Sequence, residues 1–151
     1  MKKQTVYNNV ITVLFQYWKT IVWLAVVFFL STMKVSDMPK VPLIDIPHFD
    51  KIIHFLMYFI LATAWLIDDY KKIEAFDSRK LIIIFISSVF YGIFMELIQK
   101  VLIQERSGDF LDALANTFGV SIAFLLFKNA NFYRMLLVRI FSIGYKQKME
   151  L

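Results

Sequence analysis

Apolar residues fall in four long runs with helical spacing, broken by short polar stretches. The first run is about 20–33 (TIVWLAVVFFLSTM). It is short against the ~20 residues that a bilayer core demands, so it must borrow flanking Trp18 and Val35. The second runs from Phe49 to Ile67, the third from Leu81 to Ile103, and the fourth from Asp109 to Phe127. Residues 34–49 hold all three prolines and read as an extended loop, because proline removes a helical hydrogen bond. Residues 68–80 (DDYKKIEAFDSRK) read as a charged loop, and QERSG as a short link with Ser107 as helix N-cap and Asp109 in the first turn.

Ahead of these runs, residues 1–19 form an amphipathic pattern. Thr5, Asn8, Asn9, Thr12, Gln16 and Lys19 share one narrow arc of about 100° on a helical wheel, with Tyr7, Val10, Ile11, Leu14 and Trp18 opposite. Such a helix suits the headgroup layer, and packing on the bundle as an extension of the first span is the other reading. The expected fold is all-α. It is a polytopic membrane protein with an N-terminal amphipathic interfacial helix (1–19), a four-helix transmembrane domain (20–127) and a basic tail (128–151).

Composition agrees. Among 151 residues, 59% are hydrophobic and 17% aromatic, and the mean hydropathy is +0.61. Soluble domains hold roughly 45–50% apolar residues. No small-residue cleavage pattern follows the first run, so it is expected to remain as a span. Cysteine is absent, which excludes disulfides, thiolate nucleophiles and thiolate metal sites. The net charge of +5 marks a membrane side rather than a nucleic-acid partner. Lys and Arg concentrate on the N-terminal segment, the second connection (Lys71, Lys72, Arg79, Lys80) and the tail; only Lys34, Lys40, Lys51, Lys100 and Arg106 lie on the other side. The positive-inside bias therefore puts both termini in the cytoplasm.

That orientation brings three polar helix ends to the outer face. Asp50, Lys51, His54 and Tyr58 open the second span. Ser88, Gly92, Glu96 and Gln99 share a face of the third, within about 80° on the wheel. Asp109, Asp112, Asn116 and Gly119 share a face of the fourth, and Arg106 precedes it. Asn116 lies about 10 Å below Asp109 at the α-helical rise. Ionisable groups at such depth are costly unless paired or wet, so their convergence is a functional-site hypothesis. The expectation is a polar pocket open to the outside.

The segments DKIIHF with Tyr58, ELIQ, and RSGDFLDALAN with Gly119 occur in this order. Together they resemble the VanZ-like family over roughly residues 45–125. The resemblance implies a small bacterial inner-membrane protein, in a family whose founding member is associated with low-level teicoplanin resistance. It implies no settled chemistry.

The site residues themselves leave several readings open. Lys51 and Arg106 could neutralise Asp50, Glu96, Asp109 and Asp112, with Gln99 and Asn116 bonding across helices, in a purely structural network. The same two cations suit a phosphate or pyrophosphate headgroup of an envelope lipid or lipid-linked cell-wall precursor. In an enzyme on such a substrate, a phosphatase or transferase, His54 would be general acid or base oriented by Asp109 or Asp112, and Glu96 a second proton-transfer group. No lipid-phosphatase motif accompanies them. No cofactor is required. A divalent cation held by His54 and carboxylates is a further alternative, with Mg²⁺, Mn²⁺ or Ca²⁺ favoured over zinc. A transporter or proton relay would need a polar path through the inner halves, which offer little beyond Thr63, Ser87 and Ser88. His48 reads as solvated, Tyr58 as pocket floor or packing, and Trp18, Trp23 and Trp65 as interface or lipid-facing aromatics. The partners expected are membrane lipids and a lipid-linked cell-wall precursor, with the oligomeric state left open.

Overall fold

The computed structural model describes residues 10–33, 48–70, 78–102 and 109–129, all of it helix apart from short caps. The described residues form five helices: α1 (Val10–Gln16), α2 (Trp18–Thr32), α3 (Phe49–Tyr70), α4 (Ser78–Leu102) and α5 (Phe110–Asn129). α3, α4 and α5 are each long and apolar enough to cross a membrane; α1 and α2 qualify as a fourth span only together, and they meet at a bend of 71°. The described helices thus form a multi-pass membrane bundle. The prolines of the first connection, Lys71, Lys72, Arg106, Ser107 and the tail after Asn129 lie outside the described residues.

The bend between α1 and α2 falls at Tyr17, with no proline to cause it. Breaking the helix there frees backbone N–H groups in the first turn of α2, and a freed donor in a dry setting needs an acceptor. Asp68 of α3 supplies it: Oδ2 accepts from the Thr20 backbone N–H at 3.0 Å and from the Thr20 hydroxyl at 2.9 Å. Oδ1 pairs with the Lys19 ammonium. One turn back, the Tyr17 hydroxyl donates to Asp69 at 3.0 Å. Asp68 and Asp69, expected in the charged loop, belong to the helix instead, because α3 continues to Tyr70. Lys19, on the polar arc of the N-terminal pattern, is buried against the bundle, where Asp68 matches its charge.

α3 is central, flanked by α2, α4 and α5. Its tightest neighbour is α5, which Gly119 brings so close that a Cβ there would lie 2.3 Å from the Phe55 carbonyl oxygen. Small residues allow such approach between membrane helices. Val27, Met57, Tyr58, Leu61, Ala62, Val120 and Ala123 fill the middle of the bundle. Leu66, Ile67, Ile84 and Phe127 fill the end nearer Asp68. Large apolar side chains such as Ile82, Ile86, Phe90, Phe94 and Val101 point outward along α4, as a lipid-facing surface requires. Two side chains tie α2 to its neighbours through spare carbonyl lone pairs: Trp23 Nε1 donates to Met57 O at 2.8 Å, and the Tyr91 hydroxyl to Leu24 O at 2.9 Å.

From α2 onward consecutive helices run antiparallel, so α3 and α5 lie parallel to each other. The C-terminal ends of α2 and α4 therefore lie with the N-terminal ends of α3 and α5, and this is the end that carries the predicted site.

Candidate functional site

Three helix ends build the site. α3 begins after His48, which is exposed and takes φ 64°, a left-handed conformation that histidine tolerates better than most residues. Its carbonyl accepts from the Lys51 N–H at 3.1 Å, starting the first turn. α5 begins at Asp109, whose Oδ1 accepts from the Leu111 N–H at 3.0 Å. Asp109 is therefore the N-cap itself, in place of Ser107 as expected from sequence: its side-chain oxygen reaches the second helical N–H, the usual capping geometry.

Lys51 is the hub. Its Nζ donates to Asp50 Oδ2 at 2.9 Å, Asp109 Oδ2 at 3.0 Å and Asp112 Oδ1 at 2.9 Å. Below it is a second, drier layer. His54 Nδ1 lies 3.1 Å from Asn116 Oδ1 and 3.4 Å from Glu96 Oε1. The Asn116 amide donates to Glu96 Oε1 at 3.1 Å. His54 Nε2 faces Asp112 Oδ2 at 3.9 Å, too long for a good hydrogen bond. His54, Glu96, Asp112 and Asn116 are all buried, whereas Asp50 is 57% exposed and Asp109 40%. The site thus grades from exposed to buried polar groups.

Tyr58 is fully buried beneath these groups, its ring edge packed where Gly92 leaves room beside Asn116. Its hydroxyl makes no hydrogen bond among the described residues. Gln99 is buried too but turns to α2, donating to Ser31 O at 3.0 Å. It ties α4 to α2 at this end. Arg106 lies outside the described residues. Among those described, four carboxylates face one lysine and one histidine, so this cluster is acidic.

Sequence reasoning missed the opposite end, where Lys19, Thr20 and Asp68 form a second buried polar centre. A signal existed. Asp68 stands seven residues after Leu61, on the buried side of α3, and so could not reach water without leaving the helix.

The Asp109 cap makes a pH prediction. The Leu111 N–H, followed by Lys51, holds its carboxyl below the ordinary value of 3.8. A depressed folded-state value means that its stabilisation is complete above 3.8 and is lost as pH falls through the lower folded value. Melting temperature in detergent should drop in that acid window, with a smaller drop for Asp109→Ser, which caps without titrating. Identical acid profiles would show that the cap does not contribute.

The class this architecture defines is a small multi-pass helical membrane protein with a charged, partly buried cluster at one end of the bundle. Residues 2–136 match the VanZ/LLP1 family, and the chain belongs to that family. The match extends well beyond the 45–125 stretch that carries the motifs, into the N-terminal segment and the tail. No curated protein and no solved structure matches the chain.

Proposed function

We propose that the Lys51 end of the bundle faces the outside of the bacterial inner membrane and binds the headgroup of an envelope lipid or lipid-linked cell-wall precursor. The observation that carries this is the gradient of exposure at one end of the bundle. Asp50 and Asp109 are exposed beside the Lys51 ammonium, and His54, Glu96, Asp112 and Asn116 are buried next to them. A polar headgroup meets such a surface without leaving the interface, while its acyl chains meet the apolar outer faces of the helices. The teicoplanin link of the family belongs to the same reading, since an exported cell-wall precursor is the molecule through which a glycopeptide acts.

One observation favours a second reading. Lys51 already contacts three carboxylates, which suffices to pin the ends of α3 and α5 together without any ligand. Titrating the detergent-purified chain with a short-chain polyprenyl phosphate separates the two. Headgroup binding predicts a melting temperature that rises with the logarithm of added ligand, equivalent to about 2.7 kcal/mol of added stability at a hundred-fold excess over Kd, and a response that Lys51→Met abolishes. A structural pin predicts a less stable Lys51→Met protein and no response of the wild type. Orientation is checked in this cysteine-free chain by Ser107→Cys. Labelling by an impermeant maleimide is expected from outside intact cells; labelling from the cytoplasm alone overturns the proposal.

A further inference from the structure

We propose that His54, Glu96 and Asp112 hold a divalent first-row cation of the Mn²⁺ or Zn²⁺ class. One ligand atom from each lies within 4.8 Å of the other two, and all three residues are buried. The two oxygens of Asp112 are divided: Lys51 takes Oδ1 at 2.9 Å, and Oδ2 turns to His54 Nε2 at 3.9 Å. When His54 Nδ1 carries the proton donated to Asn116 Oδ1, Nε2 presents a lone pair to that carboxylate oxygen. Two acceptors facing each other in a dry site repel unless something positive lies between. The gap of 3.9 Å suits one ion with bonds of about 2.1 Å to nitrogen and to oxygen.

The surroundings match what metal-bound histidines require. Asn116 accepts from the non-ligating ring nitrogen and also donates to Glu96, so one side chain orients two ligands. Independently, Tyr58 points to a further guest. It is 1% exposed, its hydroxyl has no hydrogen-bond partner among the described residues, and it lies one helical turn after His54. A helical tyrosine leans toward the helix N-terminus, here toward the triad. A buried hydroxyl so placed needs a partner, and a water or ligand on the ion would supply one. Nitrogen ligation argues for Mn²⁺ or Zn²⁺ over Mg²⁺ or Ca²⁺.

The ion also resolves a charge difficulty. The described cluster holds more carboxylates than cations, and a divalent cation between Glu96 and Asp112 would lower its negative charge and present open positions to phosphate oxygens. That role rests on the headgroup reading; the ion site does not.

The test is a Mn²⁺ titration of the full chain in detergent at pH 7.5, with free ion read by electron paramagnetic resonance and Zn²⁺ as competitor. One ion per chain is expected, with affinity falling at least tenfold in His54→Gln and in Asp112→Asn and unchanged in Asp69→Asn at the far end of the bundle. If one site variant fails to fold, as judged by helical circular dichroism and gel filtration, the other still decides. No saturable binding by folded wild type overturns the proposal, as does undiminished binding by both variants. An imidazolium paired with the two carboxylates would give the former result. Adding short-chain polyprenyl phosphate separates the layers. Ion binding without phosphate binding supports this site and removes the headgroup reading, whereas phosphate binding that is indifferent to a bound ion removes the ion's role toward phosphate and leaves the ion site to the variants.

Discussion

Gly119→Ala is expected to yield little folded protein. The added Cβ would stand 2.3 Å from Phe55 O, 3.1 Å from Phe55 C and 3.0 Å from Phe59 N. All three atoms are backbone, so no rotamer change relieves the clash. α5 would have to retreat from α3 by roughly 1 Å to restore ordinary contact. The Phe55–Phe118 ring pair beside the crossing would separate as well. Overpacking costs about 1–3 kcal/mol where side chains can adjust, and more where they cannot. The site fails with the fold, because the Lys51–Asp112 and His54–Asn116 bonds span the same two helices. Gly92→Ala is the informative contrast. Its Cβ would meet the Tyr58 ring edge and Asn116 Cβ, each at 3.2 Å, and both are side-chain atoms. Part of that strain is offset by the better helix propensity of alanine, about 1 kcal/mol. Melting of detergent-purified variants, followed by tryptophan fluorescence, should therefore rank wild type first, Gly92→Ala next and Gly119→Ala far below. A Gly119→Ala protein that melts with the wild type would show that the α3–α5 crossing is looser than described.

Faces were legible in the sequence; neighbours were not. Helical spacing alone places Ser88, Gly92, Glu96 and Gln99 on one side of α4, and all four are buried there. The same holds for Asp112, Asn116 and Gly119 on α5. Periodicity says which way a side chain leaves its helix, yet not which helix receives it. Gln99 thus shares the face of Glu96 but bonds to α2, about one turn beyond the level at which Glu96 meets α3 and α5 by way of His54 and Asn116. Caps were ambiguous for a related reason: Ser107 and Asp109 both offer acceptors, and only the backbone decides which one meets the second helical N–H. Asp68 was hidden by its company. Within DDYKK it looks like the start of a charged loop, and its partner Lys19 is 49 residues away. Hydropathy counts the cost of each charge separately, so a pair that cancels in space is counted twice as polar.

That cancelled pair sets the second large effect. Lys19→Met is expected to destabilise the bundle by about 3–5 kcal/mol, because it leaves a buried carboxylate without its countercharge. Asp68 is 0% exposed, so water cannot take the place of the ammonium. Asp68→Asn should cost a similar amount from the other side, stranding Lys19 at 8% exposure. The double variant Lys19→Met/Asp68→Asn is then expected to recover most of the loss. The asparagine carbonyl still accepts from the Thr20 N–H and hydroxyl, and no charge remains to be matched. Buried ion pairs are often dispensable when removed whole and costly when halved. The elbow at Tyr17 gives an independent readout, since Asp68 closes the first turn of α2 and Tyr17 leans on Asp69. Distances between spin labels on α1 and α3 should broaden in either single variant and narrow again in the double. Losses that simply add would mean that Lys19 and Asp68 act independently, and the bend would then owe its geometry to the Thr20 and Tyr17 hydrogen bonds alone.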